Sequence, residues 1–264
     1  MRLLECFIYG LVSGAAELLP ISSPAHQKIL RYLFGSEGIN AFHSLLIHIS
    51  VLAMVILIAR NSRPVRSVGQ TQRSRNRHRS ADMQHIKTAM VPLLIVVVFY
   101  FVTASWNDSF LILSCFLLVN GIILYIPSRM MRGNKNAAAM TGVDSLLIGS
   151  GAAIGAFPGI SRTAGILCTA SARGADASNA LRWSVMLSIP ALMILTVLDL
   201  ISLGSTGAYS INFFGAIFSM AGALIGTWIG YAVMRFLAVK SGFSWFSFYS
   251  WGAALFSFIL YLTV

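Results

Sequence analysis

Six apolar stretches constrain this chain more than anything else in it: about 42–59, 89–104, 110–127, 183–203, 213–237 and 243–263. Coiled as helices at 1.5 Å per residue, such stretches suit a hydrocarbon core of roughly 30 Å. Hydrophobic residues make up 57% of the 264 residues and charged residues only 10%, too few to clothe a soluble surface. The expectation is an all-α polytopic membrane protein with six transmembrane helices, a single integral membrane domain over 1–264. No basic leader with a small-residue cleavage site starts at Met1, so the first segment is expected to stay with the fold.

The net charge of +11 is unevenly placed. Arg60, Arg63, Arg66, Arg73, Arg75, Arg77, Arg79 and Lys87 gather in one loop, 60–87, between the first two spans. The positive-inside rule puts that loop in the cytoplasm, and both chain ends then lie outside. Arg129, Arg132 and Lys135 after the third span, and Arg235 and Lys240 after the fifth, fit the same alternation. The basic run faces anionic lipid, so membrane lipids are expected partners and nucleic acid is not.

Two further segments, about 3–40 and 145–180, are apolar but broken by Pro20-Ile-Ser22-Ser23-Pro-Ala-His26 and by Pro158-Gly-Ile-Ser161-Arg162-Thr163. Each reads as a re-entrant helix hairpin with a Pro/Ser turn at depth, tolerated only where protein or a wet cavity satisfies the freed backbone groups. A shift of 139 residues lays Gly10 on Gly149, Ile21 on Ile160, Ser22 on Ser161 and Ala25 on Ala164; a shift of 140 lays Ser44 and His48 on Ser184 and Ser188. An odd number of spans separates the matching points, which gives an inverted-topology repeat: 1–130 as the first copy and 140–264 as the second. The two turns are expected to meet near the midplane.

Charge inside a membrane segment is costly, about 2.5–3.5 kcal/mol at helix centre, so Glu17 and Arg162 are the strongest functional candidates. Each half-helix that restarts after a turn offers unpaired N–H groups and a positive dipole end, with Ser22, Ser23 and Ser161 placed as caps. Arg162 adds a planar fork that matches two phosphate oxygens, so the pair of turns suits a diphosphate. His26, one helical turn past Ser22 and Ser23, shares their face and suits a nucleophile or a general acid–base toward phosphorus. His43 reads as interfacial, and His48 as a satisfied core histidine or, as the alternative, a residue lining the cavity. The aromatic run Phe243–Trp251 reads as an interfacial belt.

These motifs resemble the bacterial undecaprenyl pyrophosphate phosphatases of the bacitracin-resistance type. That family carries Glu-x-x-x-Glu running into Pro-x-Ser-Ser-x-x-His, then Pro-Gly-x-Ser-Arg-Ser-x-x-Thr. Glu17, Pro20, Ser22, Ser23 and His26 match the first motif, and Pro158, Gly159, Ser161 and Arg162 the second, with Thr163 in place of a serine. Ser13 stands where the family has its first glutamate or a glutamine, and Ile166 where it has threonine.

The resemblance implies six spans with two re-entrant pairs, a bacterial plasma (inner) membrane location and an outward-facing site. It implies removal of the terminal phosphate from a polyprenyl diphosphate, recycling the lipid carrier of cell-wall synthesis. The implied catalytic residues are His26, Ser23, Glu17 and Arg162; Ser22, Ser161, Arg162, Thr163 and Gly159 would hold phosphate. A divalent cation, Mg2+ or Ca2+, is implied with Glu17 as its ligand, though Ser13 removes a carboxylate from that set. A second copy of the chain, as a homodimer, is a further candidate partner. The alternative is a polyprenyl-phosphate transporter or flippase, or a catalytically impaired lipid-phosphate-binding relative, since broken helices in inverted repeat also mark transporters.

Overall fold

Backbone polar groups cannot go unpaired in hydrocarbon, and the chain meets that demand with helices. The computed structural model describes residues 3–35, 41–61, 84–103, 106, 109–129, 133–135, 139–206, 213–240 and 243–263. Most of the basic loop, 62–83, lies outside the described residues. In chain order the helices are α1 (Leu3–Leu18), α2 (Ser23–Leu33), α3 (Ala41–Asn61), α4 (84–93), α5 (Ile95–Val102), α6 (Phe110–Arg129), α7 (Gly142–Ile154), α8 (Arg162–Ala172), α9 (Ala177–Thr206), α10 (Phe213–Lys240) and α11 (Trp245–Thr263).

Five of them contain segments long and apolar enough to cross a membrane: Phe42–Asn61, Phe110–Pro127, Ala177–Gly204, Phe213–Ala238 and Trp245–Thr263. Their outer faces carry large exposed apolar side chains such as Leu57, Ile122, Leu200, Phe236 and Leu262, as a lipid-facing surface does. The protein is thus a multi-pass helical membrane protein. The expected span at 89–104 is helical from 89 to 102 with a one-residue break at Leu94. Pro92 explains the break, because it donates no hydrogen bond and its ring crowds the preceding turn; past it, Val97 N–H bonds Leu94 O, three residues back.

Small residues let α1 lie almost backbone to backbone on α10. A Cβ on Gly14 would collide with the Ala223 carbonyl, and one on Gly226 with the Leu11 carbonyl, so close approach excludes any larger residue at either position. Around this pair the main core joins Val51 and Val55 of α3 to Leu187 and Leu192 of α9, with Ala223 of α10 and Ile148 and Ala152 of α7. A second cluster joins Leu113 and Leu117 of α6 to Ala254 and Leu260 of α11 and to Ala25 and Ile29 of α2.

The two interrupted segments fold as the expected helix–turn–helix hairpins, α1/α2 and α7/α8, each with its helices packed together. The second is pinned at its open end. Thr141 caps α7 in a reciprocal box with Asp144, and Arg173 beyond α8 donates to Asp144 at 2.5 Å. Burial alone would raise the Asp144 pKa, but hydrogen bonds from Thr141 and Arg173 outweigh it and hold the carboxyl below its usual range.

Candidate functional site

The first turn leaves α1 at Leu18 and re-enters a helix at Ser23, with Pro24 tolerated in the first helical turn. Ser22 just before it has φ 63°, a left-handed conformation unusual for serine, and its buried Oγ has no partner. The second turn passes Gly159 at φ 93°, where a Cβ would meet Leu113 O at 2.9 Å. Glycine is therefore required there on both counts. Ser161 then caps α8, its Oγ accepting from Ala164 N–H at 3.4 Å.

The turns meet, as expected. Ser161 Oγ donates to Leu19 O (3.3 Å) and Thr163 Oγ1 to Glu17 O (3.5 Å). Asn120 of α6, fully buried, ties both: its Nδ2 donates to Pro20 O (3.0 Å) and Ser250 Oγ (2.9 Å), and its Oδ1 accepts from Ser161 N–H (2.9 Å).

Glu17 and Arg162 come together across this junction. Arg162 Nη2 donates to Glu17 Oε2 at 2.9 Å and to Ser188 Oγ at 3.4 Å, while its Nε is buried without a partner. An unsatisfied donor on a buried guanidinium is costly, and the same edge is the one that a phosphate oxygen fits. Beside the pair opens a cavity of about 630 Å3, lined among others by Glu17, Ser23, Gln27, His48, Ser161, Arg162 and Asp199.

His48 is partnered, as expected of a core histidine, yet it also lines the cavity. Its Nδ1 donates to Asp199 Oδ2 of α9 at 2.5 Å, which leaves Nε2 for the cavity that both residues line. His26 does not line it. Its Nδ1 donates to Ser22 O at 2.8 Å, so in the neutral ring Nε2 accepts from the Tyr249 hydroxyl at 2.6 Å. The structure brings His26 to Tyr249, and Glu17 to Arg162 rather than to His26. Ser23 faces the cavity, its Oγ accepting from Gln27 Nε2 at 3.2 Å. Thr163 is buried behind the wall, held by Glu17 O and Ser184 Oγ.

His43, expected at the interface, is buried against the protein. Tyr249, in the expected aromatic belt, is half exposed and also lies on His26, with the rings stacked 5.6 Å apart. Sequence reading also passed over Asn120, Asp199 and the cavity-lining Gln27, Lys28 and Arg31. For Asp199 and Asn120 a signal existed: each is a polar side chain inside an apolar span.

The divalent cation implied by resemblance does not fit this donor set. Among the described residues no group of three or more His, Cys, Asp or Glu could hold a metal. Glu17 is committed to Arg162, and Ser13, one turn earlier, offers only a buried hydroxyl.

Broken helices meeting beside a buried arginine, in a chain with several membrane-length helices, define a polytopic membrane protein with a polar cavity among its helices. The chain belongs to the bacitracin resistance protein BacA family, whose model matches residues 6–256. It is 29% identical over 273 residues to undecaprenyl-diphosphatase 1 of Shouchella clausii, covering 98% of this chain and 96% of that protein. It is 29% identical over 258 residues to the undecaprenyl-diphosphatase of Treponema denticola, covering 94% of each. Its identity to the undecaprenyl-diphosphatase of Methanobrevibacter smithii is 26% over 265 residues, covering 95% of each.

Proposed function

We propose that this chain is a membrane phosphatase that hydrolyses undecaprenyl diphosphate, or a similar polyprenyl diphosphate, to the monophosphate, returning a lipid carrier to cell-wall synthesis. What carries it is Arg162: a buried guanidinium at the start of α8, in a cavity, with Nε unpartnered. The names of the relatives point to the same reaction. Arg162, Ser161 and the Gly159 turn take the terminal phosphoryl group, with the unpartnered Ser22 hydroxyl at the other turn, while Thr163 supports the wall from behind. Ser23 takes the attacking position, itself or through a water that it holds. His26 handles the proton with Tyr249 as its relay, and Glu17 fixes the angle of Arg162. The attacking oxygen gives its proton to His26 and forms a P–O bond at the terminal phosphorus, the bridging P–O bond breaks and the prenyl monophosphate leaves. Where Ser23 Oγ is that oxygen, a water then displaces it and carries the phosphoryl group off as inorganic phosphate.

In this reading the six crossings, the two re-entrant hairpins and the inverted repeat hold together. Support comes from packing: α3 lies on α9 and α6 on α11, while α1 packs its Gly10 on α10 as α7 packs the equivalent Gly149 on α4. Exchanging the two halves maps this set onto itself. The basic loop then faces the cytoplasm of a bacterial inner membrane, with the cavity and both termini outside.

The test is phosphate release from farnesyl and undecaprenyl diphosphate by the purified protein. Release from both is expected; intact lipid binding without release would move the protein to the binding relatives.

A divalent cation enters only through the residue that is missing. Wild-type release is expected to survive chelation. Ser13→Glu sets a second carboxylate one turn from Glu17, and its rate is expected to rise about tenfold or more between chelator and millimolar Ca2+ or Mg2+. Loss of wild-type release in chelator would refute the assignment.

A further inference from the structure

One wall of the cavity is a face of α2 that the reaction above uses only at its first residue. Ser23, Gln27 and Arg31 recur every four residues along it, with Lys28 and Tyr32 beside them, and all five line the cavity. Arg31 lies about 12 Å along the helix axis from Ser23 and Lys28 about 7.5 Å. Helical side chains lean toward the helix N-terminus, so both cationic heads tip back toward the Ser23 end. Lys28 Nζ stands 4.4 Å above the ring of Phe110, another cavity residue.

The charges around the cavity show what these two residues add. The described lining contains three Lys or Arg side chains, Lys28, Arg31 and Arg162, against two carboxylates, Glu17 and Asp199. Arg162 is bound to Glu17 and Asp199 to His48, and Lys28 and Arg31 keep partners of their own, so the count is of charge facing the cavity and not of free groups. A diphosphate brings two anionic groups, so Arg162 with Glu17 at its side meets only part of that charge.

We infer that Lys28 and Arg31 form a second anion subsite, which takes the prenyl-bearing phosphate while the terminal phosphate sits at Arg162, so that the cavity selects a diphosphate over a monophosphate. This rests on the proposed hydrolysis. It also places positive charge along the substrate where the described residues hold no group of three metal-ligating side chains, and it leaves the prenyl chain pointing away from Arg162. Salt should weaken the subsite as it screens the two cations.

The experiment compares wild type with Lys28→Gln/Arg31→Gln in neutral detergent, on farnesyl diphosphate. Each charge-assisted contact is worth about tenfold, so KM is expected to rise about 100-fold in the double variant, with kcat within about threefold. Lys28→Arg/Arg31→Lys, which keeps both charges, is expected to recover most of the loss. In wild type alone, inorganic diphosphate should inhibit at least about tenfold better than inorganic phosphate at low salt, a preference that raised salt erodes. Equal inhibition by the two anions, or an unchanged KM in a folded double variant, overturns the subsite. A KM shift seen only with phosphatidylglycerol vesicles would assign the cations to the lipid surface and overturn it too. Absence of release from wild type would instead remove the proposed function.

Discussion

Arg162→Ala is expected to abolish measurable phosphate release, a loss of at least about 10²–10³-fold if the guanidinium stabilises charge developing on the phosphoryl group. The same substitution strands Glu17 as a buried carboxylate without its cation, which costs about 3–5 kcal/mol. Loss of activity in Arg162→Ala alone would thus mix chemistry with folding. The double variant Glu17→Gln/Arg162→Gln separates them, because two neutral amides can hydrogen-bond across the same junction. Its thermal midpoint is expected to return close to wild type while release stays absent. If release recovered along with stability, the pair would be an ion pair that fixes the two hairpins and nothing more, and the phosphate would have to be held elsewhere.

The hairpins, their turns and the two charges Glu17 and Arg162 were legible in the sequence because membrane burial makes polar residues conspicuous; that Glu17 would reach Arg162 rather than His26 was not. A charge in an apolar segment must find a partner, and two such charges in equivalent interrupted segments constrain each other. The helix breaks were legible for a similar reason, since Pro20 and Pro158 interrupt the hydrogen-bond ladder wherever they fall. Pro92 carries the same signal inside the segment 89–104, and the helix breaks just past it at Leu94.

What stayed hidden depends on side-chain direction and on contacts between distant segments. His26 does share a helix face with Ser22 and Ser23, but spacing along α2 could not show that its ring turns toward Tyr249, 223 residues away. Asp199 drew no reading as an acid in a span, because its partner His48 reaches it only when α3 packs on α9. Nothing in the sequence singled out Lys28 and Arg31, because the cavity they line is assembled from the hairpins and spans of both halves.

Asn120 shows how much rests on one such hidden residue. Its amide bonds both turns from a third helix, through Pro20 O and Ser161 N–H, and it adds Ser250 of α11. Asn120→Leu keeps the volume and removes all three bonds, leaving buried backbone groups unpaired at about 1–3 kcal/mol each. The thermal midpoint is expected to fall by several degrees or more, and release by about 10²-fold, since a shift near 1 Å between reacting groups has that effect. Asn120→Asp should be no milder. A carboxylate still accepts from Ser161 N–H but cannot donate to Pro20 O, so it sets an anion against a carbonyl where the native amide set a donor. Ser250→Ala removes one bond of the three and leaves both turns joined, so a small loss of stability with near-normal release is expected. Were Ser250→Ala to match Asn120→Leu in the release assay, the clamp would act through α11 rather than through the turns.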